Sequence, residues 1–223
     1  MKLYCHPLTT TSRPLLLFIG ETGAAVDVQV VDIRASEHLQ PAFRAINPNH
    51  LLPALDDDGF MLTESSAILK YLADLSGSTL YPQDLRQRAR VNERMDWIAT
   101  QISRDLVFGF VYPQIFPTHK RRSREAQDAT LEWARARARR WLEVMDRDLL
   151  GPHPFLCGEA ITIADYYASS FIALAEVTGN TLAEYPNIAA WLSRMKELGS
   201  WSKAFAAIDA FRGGIAPGSL MAV

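Results

Sequence analysis

The sequence predicts an α/β domain with a mixed four-stranded sheet, followed by an all-helical domain. Three observations predict this. Short apolar runs of strand length alternate with helix-length segments over the first 75 residues. Beyond residue 85 the apolar spacing is helical throughout. Between the two lies Gly77-Ser78-Thr79 with Leu80-Tyr81-Pro82, a small, turn-rich stretch suited to a linker. A chain of 223 residues is long enough for two modest domains, each with its own core.

Taken in order, residues 1–4 form an apolar-alternating strand and residues 6–12 a loop. Residues 13–22 read as a helix with Pro14 in its first turn and Gly23 as its stop. The valine-rich run 26–33 fits a second strand, and 40–46 a short helix ended by Asn47-Pro48. Residues 54–57 and 60–62 make a hairpin about Asp58-Gly59. Residues 65–75 put Ile68, Leu69, Leu72 and Leu75 on one helical face. This β-α-β-α-β-β-α order is the one a thioredoxin-like domain requires. Helices follow at 85–111, 122–150, 163–179, 187–198 and 201–211. Thr162 and Asp165 form a capping box for the third of them, which makes Asp165 a structural residue. The expected division is therefore 1–76, a linker over 77–86, and 87–223 ending in a loose tail from Arg212.

Composition narrows the function class. A net charge of −2 gives no overall pull toward nucleic acid or an anionic membrane. Residues 120–147 carry nine basic and five acidic side chains. Arg135, Arg137 and Arg139 step by two, turning about 200° each time, so they form no single stripe. A solvated helix with ion pairs, some of them between subunits, is the expectation there. No run approaches the roughly 18 apolar residues of a membrane span. Two cysteines, Cys5 and Cys157, make no disulfide framework. Both are expected in the core of a cytoplasmic protein. No cluster has metal-ligand spacing, so no metal is expected.

The richest stretch is 47–74. Leu51-Leu52-Pro53 sets a proline at the mouth of a strand, where it donates nothing to the ladder. That leaves the amide and carbonyl of Leu52 for a guest pairing as an extra strand. Glu64-Ser65 opens the next helix, where backbone N–H groups and the helix dipole converge on a site for a carboxylate.

The pattern Pro-x-Leu, turn, Glu-Ser-x-Ala-Ile-x-x-Tyr-Leu is met at Pro53, Leu55, Glu64, Ser65, Ala67, Ile68, Tyr71 and Leu72. With it the chain resembles the cytosolic glutathione transferases over nearly its whole length. The runs Glu37-His38-Leu39-Gln40-Pro41-Ala42-Phe43 and Ile46-Asn47-Pro48-Asn49-His50 are most similar to bacterial-type theta and delta branches. The resemblance implies a homodimer with glutathione as co-substrate and a hydrophobic electrophile as second substrate, joined as a thioether. It implies that Leu52, Pro53, Glu64 and Ser65 hold the peptide, with Leu52-Pro53 cis. His38 and His50 would meet the glycyl carboxylate end; otherwise they are solvated loop residues.

Such an enzyme must stabilise the thiolate, because a free thiol titrates near ~8.5. A hydroxyl donating to sulfur favours the charged form. Theta and delta enzymes use a serine four positions before an arginine; counting back from Arg13 gives Thr9, a departure from serine. Ser12, Thr10 and Thr11 are the alternatives, and all four hydroxyls are also good helix caps. Thr10 stands where beta-class enzymes carry a reactive cysteine, whereas Cys5 lies in a strand. Phe108, Phe110, Val111, Tyr112 and Phe116 make an aromatic cluster that either walls the electrophile pocket or is core, and Tyr166 is a further pocket candidate. The same fold also hosts glutathione-dependent dehalogenases, isomerases, disulfide reductases and non-catalytic binding modules.

Overall fold

The computed structural model describes residues 1–223. The first apolar run forms β1 (Lys2–Cys5), with Leu3 and Cys5 facing inward. It lies inside a sheet of order β2-β1-β3-β4, with β2 at Asp27–Val30, β3 at Ala54–Asp57 and β4 at Phe60–Thr63. β1 runs parallel to β2 and antiparallel to β3, and β3 pairs antiparallel with β4 through Leu55 and Leu62. The sheet is therefore mixed and four-stranded.

Helix α1 (Arg13–Thr22) joins β1 to β2 and ends at Gly23, whose φ of 66° lets its N–H reach the Ile19 carbonyl. β2 is shorter than the valine-rich run predicts. Asp32 accepts the N–H groups of Arg34 and Ala35, and that local turn competes with the ladder. The short helix also contracts, to α2 (Pro41–Arg44), because Asn47 accepts from the Asn49 N–H and turns the chain. α3 (Ser65–Leu75) spans the predicted residues. Ile68, Leu69 and Leu72 are buried, but Leu75 is 57% exposed in the terminal turn and Ala73 is buried instead.

In the helical domain, α4 (Leu85–Trp97) starts at Asp84, which caps the Arg86 and Gln87 N–H groups. It continues through Ile98–Val111 with the wider winding seen in the Tyr112 N–H bond to the Val107 carbonyl, and then into α5 (Tyr112–Ile115). The rod thus outruns its predicted end at 111. It stops at Phe116, extended as a residue before proline should be. α6 (Arg124–Val144) is capped by Ser123, packs along 98–111, and runs on through Met145–Leu150. α7 (Ile163–Ile172) is buried on every face. α8 (Pro186–Lys196) and α9 (Trp201–Gly213) complete the bundle.

Asp165 has the structural role expected of it. Its carboxylate accepts from the N–H groups of Leu156 and Thr162, the Thr162 hydroxyl and the Trp191 indole. The arginine-rich helix forms ion pairs within the chain: Arg137 meets Asp105 at 3.0 Å and Arg139 meets Glu184 at 2.5 Å.

One hydrophobic cluster runs from Leu3, Leu15 and Phe18 into Val91, Phe110 and Trp191, so the two domains share a core across α1 and α7. The final residues are not a loose tail. Met221 exchanges hydrogen bonds with the Gln114 amide, Asn180 donates to the Val223 carbonyl at 2.6 Å, and Val223 is buried. Side-chain amides of Gln114 and Asn180 bonded to its backbone, with one apolar anchor, hold this segment, and neither shows as periodicity. No helix is long and apolar enough to cross a membrane.

Gly20 lies where α1 meets the start of α9; a Cβ there would fall 2.5 Å from the Ser200 hydroxyl. Alanine normally stabilises a helix interior by about 1 kcal/mol over glycine. Here Gly20→Ala is expected to destabilise the protein by about 1–3 kcal/mol through overpacking, read in denaturant unfolding. Asp105 provides a second test. Burial pushes its carboxyl up, but hydrogen bonds from Arg104, Trp141 and Arg137 outweigh this and hold it below 3.8. A carboxylate depressed in the folded state contributes stability above its unfolded pKa and loses it as pH falls through the folded value. Asp105→Asn is therefore expected to lower stability at pH 7 and to shrink the fall in stability on acidification below about pH 4, in melts across pH.

Candidate active site

The loop between β1 and α1 is built from its own hydroxyls. Ser12 is fully buried, and its oxygen lies 2.6 Å from the Thr9 hydroxyl and accepts from the His6 N–H. Thr9 also donates to the His6 carbonyl at 2.9 Å. Thr10 is 3% exposed and its hydroxyl stands 2.7 Å from the Tyr112 phenol. Thr11 donates to the Leu52 carbonyl at 2.9 Å. The proline reading expects that carbonyl to be free, but one of its two lone pairs is taken. The Leu52 N–H has no partner in the chain.

Beneath the loop lies Arg13, fully buried with no carboxylate partner. It donates to the carbonyls of Leu8 (2.9 Å) and Ser170 (3.1 Å), and more weakly to the Thr10 hydroxyl at 3.5 Å. Burial brings its guanidinium down to about 10, with Tyr112 and Asp209 acting in the opposite direction.

Between loop and bundle opens a cleft of about 490 Å³. Thr9, Thr10, His38, His50 and Leu52 line it from the sheet domain, and Phe108, Tyr112 and Phe116 from the helical domain. Tyr112 meets Phe108 edge-on at 5.1 Å and Phe116 at 5.0 Å. His50 has its Nδ1 2.8 Å from the His38 carbonyl, and the His38 Nδ1 is buried without a partner. The remaining candidates lie elsewhere. Ser12 is under the loop. Phe110 and Val111 are in the core, and Tyr166 packs edge-on against Phe18 at 6.2 Å. Pro53 is buried behind a cis bond to Leu52.

Glu64 and Ser65 stand at the N-terminus of α3. Glu64 is exposed with φ 65° and ψ 113°, a conformation few side chains adopt. The N–H groups of Ser65 and Ser66 have no partner in the chain. Tyr167 lies against Ser65, and burial raises its hydroxyl to about 12. A larger cavity, about 790 Å³ beside the linker and α4, contains none of the candidate residues.

Residues 1–74 match the family model for the glutathione S-transferase N-terminal domain, and 99–198 that for the C-terminal domain. The chain belongs to the glutathione S-transferase family. It is 32% identical over 207 residues to glutathione S-transferase theta-2 of Homo sapiens, covering 88% of this chain and 80% of that protein. The solved structure of human theta-2, in complex with glutathione and an unknown ligand, superposes with a TM-score of 0.82 at 30% identity, over 99% and 92% of the two chains. A delta-class transferase of Nilaparvata lugens superposes with a TM-score of 0.79 at 30% identity, over 95% and 96%.

In this transferase two residues stand out that motif reading did not select. His119 closes the aromatic wall, with its ring 5.1 Å from that of Tyr112. Burial, helped by Arg121, lowers its pKa. Arg13 served only to count back to Thr9. Cys5 is fully buried and its thiol is pushed up to about 12, so it is no nucleophile. Cys157 is only half-buried, because it packs at the core's edge where the linker cavity opens; burial raises it to about 11.

A strained backbone at Glu64 costs of order 1–3 kcal/mol. Glu64→Gly is expected to recover about 1 kcal/mol, seen as a raised melting temperature; an unchanged or lower value would show that its backbone carries no strain.

Proposed function

We propose that this transferase binds glutathione across the sheet domain and attacks a hydrophobic electrophile with its thiolate. The carbon–sulfur bond forms as the electrophile's leaving group departs or its strained ring opens. The observation that carries the proposal is one cleft with a floor of hydroxyls and a wall of aromatic rings, opening between the domains. Hydroxyls favour a bound anion, and an aromatic wall suits an apolar second substrate.

In this reading the γ-glutamyl carboxylate meets the open N–H groups of Ser65 and Ser66 and the helix dipole, and the Glu64 carboxylate meets the γ-glutamyl ammonium. The cysteinyl backbone of the peptide pairs with the Leu52 N–H beside Pro53, and the glycyl end reaches His38 and His50. Thr9 donates to sulfur. The Thr9 hydroxyl donates toward the buried Ser12 oxygen at 2.6 Å and the His6 carbonyl at 2.9 Å, so its one proton turns from these acceptors to serve a ligand. Phe108, Tyr112 and Phe116 hold the electrophile. No step uses a metal. By kinship with its family the protein acts as a cytoplasmic homodimer.

The test is a pH titration of the thiolate absorbance of glutathione bound to the purified protein. The bound thiol is expected at least about one unit below its free value near ~8.5. Thr9→Val keeps the side-chain shape and is expected to raise the bound value by about one unit, the weight of one hydrogen bond to a charged group. Failure to bind, or binding with an unshifted thiol, would sink the proposal.

A further inference from the structure

We infer that Tyr112, fed by Thr10 and the buried Arg13, is a second donor to the bound anion, reaching it from the helical domain. The inference rests on the glutathione-binding reading above and assigns to Tyr112 a task beyond walling the electrophile.

The argument is a count of protons. Thr10 and Tyr112 carry one hydroxyl proton each and share one hydrogen bond of 2.7 Å. One proton of the pair is therefore left over. Arg13 cannot accept, so it decides the direction: it donates to the Thr10 oxygen and leaves that hydroxyl a better donor. Thr10 then donates to Tyr112, and the phenol proton remains for the cleft. Thr9 differs, because its proton already has the His6 carbonyl and must leave it to serve a ligand. The relay thus offers a hydrogen bond without breaking one.

Charge points the same way. Arg13 is buried with no carboxylate beside it, so its positive potential is not cancelled locally. The charged or titratable groups facing this cluster are Asp209 behind Arg13, on α9, and His119 on the open side of Tyr112. Asp209 pairs with Arg212 at the surface, and burial keeps His119 toward its neutral form. Burial raises the Tyr112 phenol above its ordinary value, so it holds its proton near neutrality and acts as donor. The geometry also joins thiol activation to domain docking: Thr10 belongs to the sheet domain, Tyr112 to the helical domain, and the Ser170 hydroxyl donates to the Thr10 carbonyl at 2.5 Å.

The experiment is the thiolate titration on wild type, Tyr112→Phe and Thr10→Val, with glutathione affinity measured separately by calorimetry. Both replacements keep side-chain volume, and circular dichroism melts verify folding. Tyr112→Phe is expected to raise the bound-thiol pKa by about one unit, with affinity changed less than threefold. Thr10→Val is expected to raise it by less, because it removes the polarising step and leaves the phenol. An unchanged value in Tyr112→Phe overturns the inference, as does a shift in Thr10→Val alone, which would make Thr10 the terminal donor. A wild-type thiol that is bound but unshifted overturns both this inference and the functional reading. A shifted wild type that Tyr112→Phe leaves unchanged overturns the inference only.

Discussion

The architecture of the cleft depends on one buried guanidinium. Arg13 ties the Leu8 carbonyl of the loop to the Ser170 carbonyl of α7 and lies 5.4 Å over the Phe205 ring of α9. An unpaired buried charge is costly, and it is tolerated here because neutral oxygens take over part of the hydration it has lost. The same bonds fix where residues 8–12 run. With the loop fixed, Thr9 and Thr10 face the bundle, and the two domains meet at a set distance.

Hydroxyls in this loop are consequently divided by their partners. Ser12 is consumed by the interior; Thr9, Thr10 and Thr11 border the cleft, but the Thr11 hydroxyl is given to the Leu52 carbonyl. On chemical type the four are equivalent donors; their tertiary partners separate them. The α4–α5 rod continues past 111, which adds Tyr112 and Phe116 to Phe108 on the apolar side of the cleft. The rod is held in turn by the Met221–Gln114 exchange at the end of the chain.

Strain and open donors coincide at the other end of the sheet domain. Glu64 holds a left-handed φ immediately before Ser65 and Ser66, whose N–H groups have no protein partner. Sparsely populated backbone next to unsatisfied donors marks a position selected for something other than stability. The fold supports it with the α3 face, Ile68, Leu69 and Leu72, buried against the sheet and α1.

By itself the sequence determined what local rules govern. Periodicity, the Asp58-Gly59 turn, the Thr162–Asp165 capping box and the Glu64-Ser65 helix start each depend on neighbours within a few residues, and each appears in the structure. The cis bond at Leu52-Pro53 was legible only through family resemblance. Tertiary structure decided what depends on residues distant in the chain. Tyr166 went to the core and Tyr112 to the cleft, although both are aromatic residues on helices. The Thr10–Tyr112 contact spans 102 positions, the Arg13–Ser170 bond 157, and the docking of Val223 on Asn180 43. No spacing rule reaches that far, because those contacts are set by how elements and domains pack and not by how any one segment winds.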